Sequence, residues 1–143
     1  MKKFIFIVLM MIGCGIVNAT NAKGITYERL IASIAFVESR HNANLVSKNK
    51  TYVGYLQISK VCVNEANNIV GYKKYKYADR FDKAKSIEMF HIIQEKHNPK
   101  KDIYLAMRIW NEGTSAKYKK FRMTPYMKKV LRHYETRFAH LPV

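Results

Sequence analysis

A chain of 143 residues, 48% of them hydrophobic, is long enough to bury one core and too short to need a second. Of its two cysteines only Cys62 lies outside the N-terminal segment, so an internal disulfide is excluded and packing must hold the domain. With 26 Lys and Arg against 10 Asp and Glu, the net charge of +16 draws polyanions, whether anionic cell-wall polymer, a membrane surface or nucleic acid, or serves solubility alone.

Met1-Lys2-Lys3 is basic, Phe4 to Val17 is almost wholly apolar, and small residues follow at Ala19 and Ala22. That order predicts a secretory signal peptide over 1–22 and a domain over 23–143, exported to the periplasm or the exterior. An uncleaved anchor is the alternative, but the apolar run falls short of the roughly 20 residues a spanning helix needs. Cleavage fits after Ala19 or after Ala22. Gly13-Cys14 loosely resembles a lipid-attachment site, with Met11 a poor first residue for one, so lipid anchoring at Cys14 is a secondary reading. Setting Lys2 and Lys3 aside leaves 24 basic residues against 10 acidic ones, a net +14. Cys62, between Val61 and Val63, is expected to be buried.

Helical periodicity then organises the chain. A first helix is expected from Thr26, as N-cap, to Ser39. Residues 40–57 carry Asn42, Asn44, Ser47, Asn49 and Gly54, and read as a loop with room for a small hairpin. Ser59 caps a second helix to Val70, with Gly71 just past its end. Residues 72–81 interleave Lys73, Lys74 and Lys76 with Tyr72, Tyr75 and Tyr77. Such a stretch can stack on bases or sugars, but it reads first as a solvated loop. Asp82 caps a third helix to His97, burying Ala84, Ile87, Phe90 and Ile92 or Ile93, and Asn98-Pro99 ends it. A short, heavily apolar helix spans Asp102 to Trp110, and Asn111-Glu112-Gly113 is expected as a turn. After the basic stretch Lys117 to Arg122, Thr124-Pro125 opens a last helix to Ala139, with Tyr126, Met127, Val130, Leu131, Tyr134 and Phe138 on one side. No internal repeat is present, and the fold class predicted is mainly α, a single domain.

Within the first helix, Ile31, Ile34, Ala35 and Glu38 fall at i, i+3, i+4 and i+7. A stripe that should face the core therefore ends in a carboxyl group. Desolvation there would raise its pKa and make it a candidate general acid. Position alone leaves another reading open, since a glutamate at a helix end can lean into solvent or pair with a lysine.

Four short patterns follow in order: Glu38-Ser39, Gly54-Tyr55-Leu56-Gln57-Ile58, Trp110-Asn111-Glu112-Gly113 and Thr124-Pro125-Tyr126. Together, over residues 28–135, they resemble the soluble lytic transglycosylases, whose domain has a lysozyme-like fold of the goose type. The family reads Glu-Ser, then Gly-Leu-Met-Gln, then Tyr-Asn-Ala-Gly, then a Tyr-Val pair in the last helix. The resemblance implies Glu38 as the single catalytic acid/base. It implies substrate-binding roles for Ser47, Gln57, Trp110, Asn111 and Tyr126, and places Gly113 in the family turn. Trp110 departs from the usual tyrosine. An indole can stack on a sugar and donate through its nitrogen, but it cannot accept a hydrogen bond. The loop between Ser47 and Gly54 is one residue longer than usual, and Phe121-Arg122-Met123 stands where some members carry a glutamate.

The reaction so implied is cleavage of the β-1,4 bond between N-acetylmuramic acid and N-acetylglucosamine in peptidoglycan, closing a 1,6-anhydro ring without water and without a cofactor. Ordinary hydrolysis normally needs two carboxylates. Glu65, Glu88, Asp79 and Glu112 are the second candidates, with Glu112, in place of the small residue of the family turn, the first choice. Three alternatives stay in view: a hydrolytic muramidase of the same fold, a low-turnover wall-binding accessory of a secretion, conjugation or phage machine, and a basic nucleic-acid binder with steep salt dependence. The expected partner is the glycan strand, met by a monomer, with no nucleic acid. His91, Glu95 and His97 do not share one helix face in the zinc-protease order, so no metal is expected. No glycine-rich phosphate loop occurs, and neither Ser39 nor Cys62 lies in a nucleophile motif.

Overall fold

The computed structural model describes residues 26–138. The predicted leader, Cys14 and the last residues lie outside that range. Five α-helices follow in order: α1 (Tyr27–Ser39), α2 (Lys60–Val70), α3 (Lys83–His97), α4 (Ile103–Glu112) and α5 (Pro125–Phe138). Two 3-10 turns, Tyr77–Phe81 and Thr114–Tyr118, link them. The fold is mainly α. Among the described residues the expected hairpin reduces to isolated bridges, in which Val53 pairs antiparallel with both Val46 and Ile58.

The helix starts follow local chemistry. Thr26 Oγ1 accepts from Arg29 N, Ser59 from Cys62 N, and Asp82 from Lys85 N, each satisfying an amide the helix leaves unpaired. Pro125 takes the first position of α5, and Thr124 Oγ1 accepts from Met127 N at 3.2 Å. Arg40 ends α1 in the left-handed conformation, its N–H returning to Ala35 and Phe36 carbonyls.

Packing then orders the helices. α1 lies chiefly on α5, and α2 on α3. Leu30 and Ile34 of α1, Leu56, Met89 and Phe90 of α3, Met107 of α4 and Met127 and Val130 of α5 share one fully buried core. Each such side chain stabilises the fold by about 1.5–3 kcal/mol. A buried polar knot joins the helices at the end away from Glu38. Asn98 Nδ2 donates to Tyr27 Oη at 3.1 Å and to Gln94 Oε1 at 3.2 Å, and Asn98 Oδ1 receives Asp102 N at 3.0 Å. Asn98 therefore ends α3 and starts α4 together.

Several expectations need correction. Helix α3 buries Phe90 and Ile93 as expected, but Ala84 is exposed, and Ser86, Met89 and Gln94 are buried beside them. Val61 is 76% exposed, and Cys62 beside it is half-buried. Helix α4 runs through Asn111 and Glu112, with Gly113 as its cap at φ 87, so the turn begins later than expected. The stretch 72–81 is mostly exposed, as expected, but it ends in a 3-10 turn and buries two of its residues. Tyr75 is buried, its backbone held by the Asn67 side chain through Asn67 Oδ1 at 2.8 Å and Nδ2 at 2.9 Å. Arg80 is buried too, and its guanidinium donates to the carbonyls of Tyr77, Thr51 and Ile58. Contacts from distant segments, which no local window contains, made the difference.

Candidate active site

Glu38 occupies the last turn of α1, half-buried at one wall of a cleft of about 830 Å³. Tyr126, in the first turn of α5, donates from Oη to Glu38 Oε1 at 2.8 Å. Burial pushes the Glu38 carboxyl above its ordinary range, and the Tyr126 hydrogen bond offsets this only in part. Burial and the negative charge of Glu38 hold the Tyr126 phenol well above its own usual value, so it stays a donor. The next residue fixes the carboxyl's backbone. Ser39 Oγ donates to Tyr55 O at 2.7 Å and to Ala35 O at 3.2 Å, pinning the end of α1 to the loop that follows. That anchoring was not part of the sequence expectation, and its only signal there was the serine following the glutamate.

The second wall rests on a close backbone approach. Gly54 has φ +83, and a Cβ built on it would sit 1.9 Å from Arg80 O. No other residue type fits there without moving the 3-10 turn. Gln57, three positions on, also has positive φ, at 49°. Its Nε2 donates to Gly54 O at 2.9 Å and Leu45 O at 3.2 Å, so the strained backbone and the side chain hold one another. Gln57 lines the cleft.

Ser47 does not line it. Its hydroxyl donates to Asn49 Oδ1 at 2.7 Å and accepts from Tyr52 N at 3.0 Å, closing a turn. The neighbouring Thr51 and Tyr52 reach the cleft instead.

The third wall comes from α4 and α2. Trp110 and Asn111 line it. Trp110 Nε1 donates to Leu56 O at 3.2 Å, and its ring packs 4.9 Å from Phe90. The indole nitrogen is thus committed within the protein and is not offered to a sugar. Glu112 also lines the cleft, receiving Arg108 Nε at 3.5 Å, while buried Arg108 reaches Lys119 O through Nη1. Glu65 of α2 bonds His97 Nε2 at 2.8 Å. Lys117 Nζ lies 3.0 Å from His97 Nδ1 on the far side. Cys62 lies in the same wall, its thiol pushed up to about 12 by burial and by Glu65, which leaves it protonated and unreactive. Of the other proposed second acids, Asp79 pairs with Lys85 and Glu88 with Lys74, both at the surface away from the cleft lining.

The structure thus brings Glu38, Gln57, Trp110 and Asn111 to one cleft, sets Tyr126 behind the carboxyl of Glu38, and leaves Ser47 outside. Among the lining residues Glu38, Glu65 and Glu112 are acidic and none is Lys or Arg, despite the basic surface. Such a cleft can hold an uncharged, hydroxyl-rich ligand and deliver a proton to it.

No curated protein and no solved structure gave a significant match to this chain. A family model described as Transglycosylase SLT domain matches residues 16–131. The match spans all four sequence patterns and most of the helices that build the cleft, and the chain belongs to the SLT transglycosylase domain family.

Proposed function

We propose that this protein is a peptidoglycan lytic transglycosylase, exported to the cell wall, with Glu38 as its one catalytic acid and base. Family membership implies lytic transglycosylase-type activity on peptidoglycan. The observation that carries the finer reading is the Glu38–Tyr126 pair: a carboxyl raised above its ordinary range by desolvation, oriented by a phenol and open to a cleft.

The chemistry follows from that pair. Protonated Glu38 donates to the glycosidic oxygen between the muramyl and glucosaminyl residues, and the C–O bond breaks as positive charge develops at the anomeric carbon. Glu38 is then a carboxylate, and the Tyr126 hydrogen bond is worth most at this moment. The carboxylate takes the proton of the C6 hydroxyl on the same muramyl residue. That oxygen closes onto the anomeric carbon, giving a 1,6-anhydro ring and returning Glu38 to its starting state. Asn111 lines the cleft and supplies its amide to the N-acetyl groups and hydroxyls, while Gln57, whose two N–H groups are spent on Gly54 O and Leu45 O, offers its Oε1 as an acceptor. Trp110 offers ring surface only.

A hydrolytic outcome needs a second carboxylate, and Glu65 and Glu112 line the cleft. Each is already engaged, by His97 and by Arg108, which favours the internal ring closure. Mass spectrometry of muropeptides released from purified sacculi tests both readings. Transglycosylation gives ends lighter by one water than the reducing ends of hydrolysis, and Glu38→Gln gives neither. Undiminished release by Glu38→Gln would sink the catalytic assignment and leave the wall-binding accessory as the better reading.

A further inference from the structure

We propose that the segment 117–123, between the second 3-10 turn and α5, docks the protein on an anionic lipid surface. Its aromatic and thioether side chains are exposed: Tyr118 is 83% exposed, with Lys117 Nζ 4.9 Å from its ring centre, Phe121 57% and Met123 40%. Lys119, Lys120 and Arg122 alternate with them, all exposed and none in an ion pair among the described residues. No acidic residue occurs between Glu112 and Glu135. The backbone beneath is held: Ala116 and Thr124 are buried at its two ends, Lys119 O accepts from Arg108 Nη1, and the Phe121 ring meets Tyr104 edge-on at 5.9 Å. The apolar tips are therefore presented on a fixed base rather than on a loose loop, which lowers the cost of binding.

The chemistry of the patch selects its partner. Cations alone would suit any polyanion, and exposed aromatic rings would suit bases or sugars. Phe121 and Met123 gain most from an apolar phase under an anionic layer, which is the headgroup and acyl boundary of an acidic phospholipid membrane. No helix among the described residues is long and apolar enough to cross a membrane, so this contact lies on the surface. Thr114 and Ser115, just before the segment, line the cleft. Docking there holds the cleft beside the bilayer, where it meets glycan close to the membrane. The proposal stands apart from the catalytic reading, since no residue of the patch reaches Glu38.

The test places an indole in the patch by Phe121→Trp in the full chain, with Tyr118→Trp as a second placement should the first not fold. The parent, whose one tryptophan is Trp110, serves as the background. Fluorescence is read with vesicles of phosphatidylglycerol, with and without brominated acyl chains, and with phosphatidylcholine vesicles. The expected result is a blue shift of the introduced indole and its quenching by brominated chains on phosphatidylglycerol alone. Removing charge by Lys119→Gln with Lys120→Gln should weaken this binding about 25-fold, at about 5-fold per cation. Because the signal is local, binding through the N-terminal segment does not produce it. An introduced indole that stays water-exposed while the protein rides on the vesicles overturns the proposal. So does an equal spectral change with a soluble polyanion such as dextran sulfate.

Discussion

Glu38 and the carboxylates of the opposite wall face the same cleft with different neighbours. Glu38, at the end of α1, meets a phenol, which donates a hydrogen bond and carries no charge. Glu112 on α4 meets the guanidinium of Arg108, and Glu65 on α2 meets His97, backed by Lys117. At Glu38 burial outweighs the phenol and raises the carboxyl above its ordinary range. Burial without a charged partner is what sets Glu38 apart from the two paired glutamates as a candidate acid.

The sharpest way to break this contrast is Glu38→Gln. Turnover on isolated glycan strands should fall by about 10³-fold or more, with the fold intact by circular dichroism. Glu112→Gln should cost far less, and an equal loss would move the chemistry to the other wall. Glu38→Gln also separates from the parent by pH. The folded state holds the Glu38 proton more tightly than the unfolded chain. Its contribution to stability is therefore complete below the ordinary carboxyl range and is lost as pH rises through the elevated value. Urea unfolding across pH should show that fall in the parent and a flatter profile in Glu38→Gln.

Next in size is Gly54→Ala. The added methyl meets Arg80 O at 1.9 Å on a backbone with φ +83, and the loss of stability should be about 2–5 kcal/mol by urea titration. Tyr126→Phe comes third. Removing the donor costs about 10–100-fold in kcat and moves the alkaline limb of the pH–rate profile upward, because the phenol's lowering of the Glu38 pKa is gone. Smallest is Trp110→Phe, which leaves Leu56 O without its donor and should cost about 1 kcal/mol of stability with KM little changed. A large rise in KM would show that the indole nitrogen reaches substrate after all.

Much of this was legible in the sequence because it is local. The N-caps Thr26, Ser59 and Asp82, the Gly71 stop and Thr124-Pro125 each act within a few residues, and the helices start or end where they fall. The stripe ending at Glu38 was equally readable, since its burial follows from spacing on one helix. What was not legible depends on distant partners. Tyr75 looks like one more exposed tyrosine in a basic run until Asn67 claims its backbone. The need for glycine at position 54 appears only once Arg80 lies against it. Trp110 looked free to donate to a sugar because its acceptor, Leu56 O, is 54 positions away. Ser47 matched a family position by count, yet the local turn took its hydroxyl.

The bond between Tyr126 and Glu38 joins residues 88 positions apart, and its donor sits on the last helix described. A nascent chain, or one clipped ahead of position 125, has the glutamate without the phenol and without the helix that shelters it. Such a fragment lacks the burial that raises the carboxyl above its ordinary range and the donor that orients it. The site around Glu38 is therefore complete only once the last described helix has packed on the first.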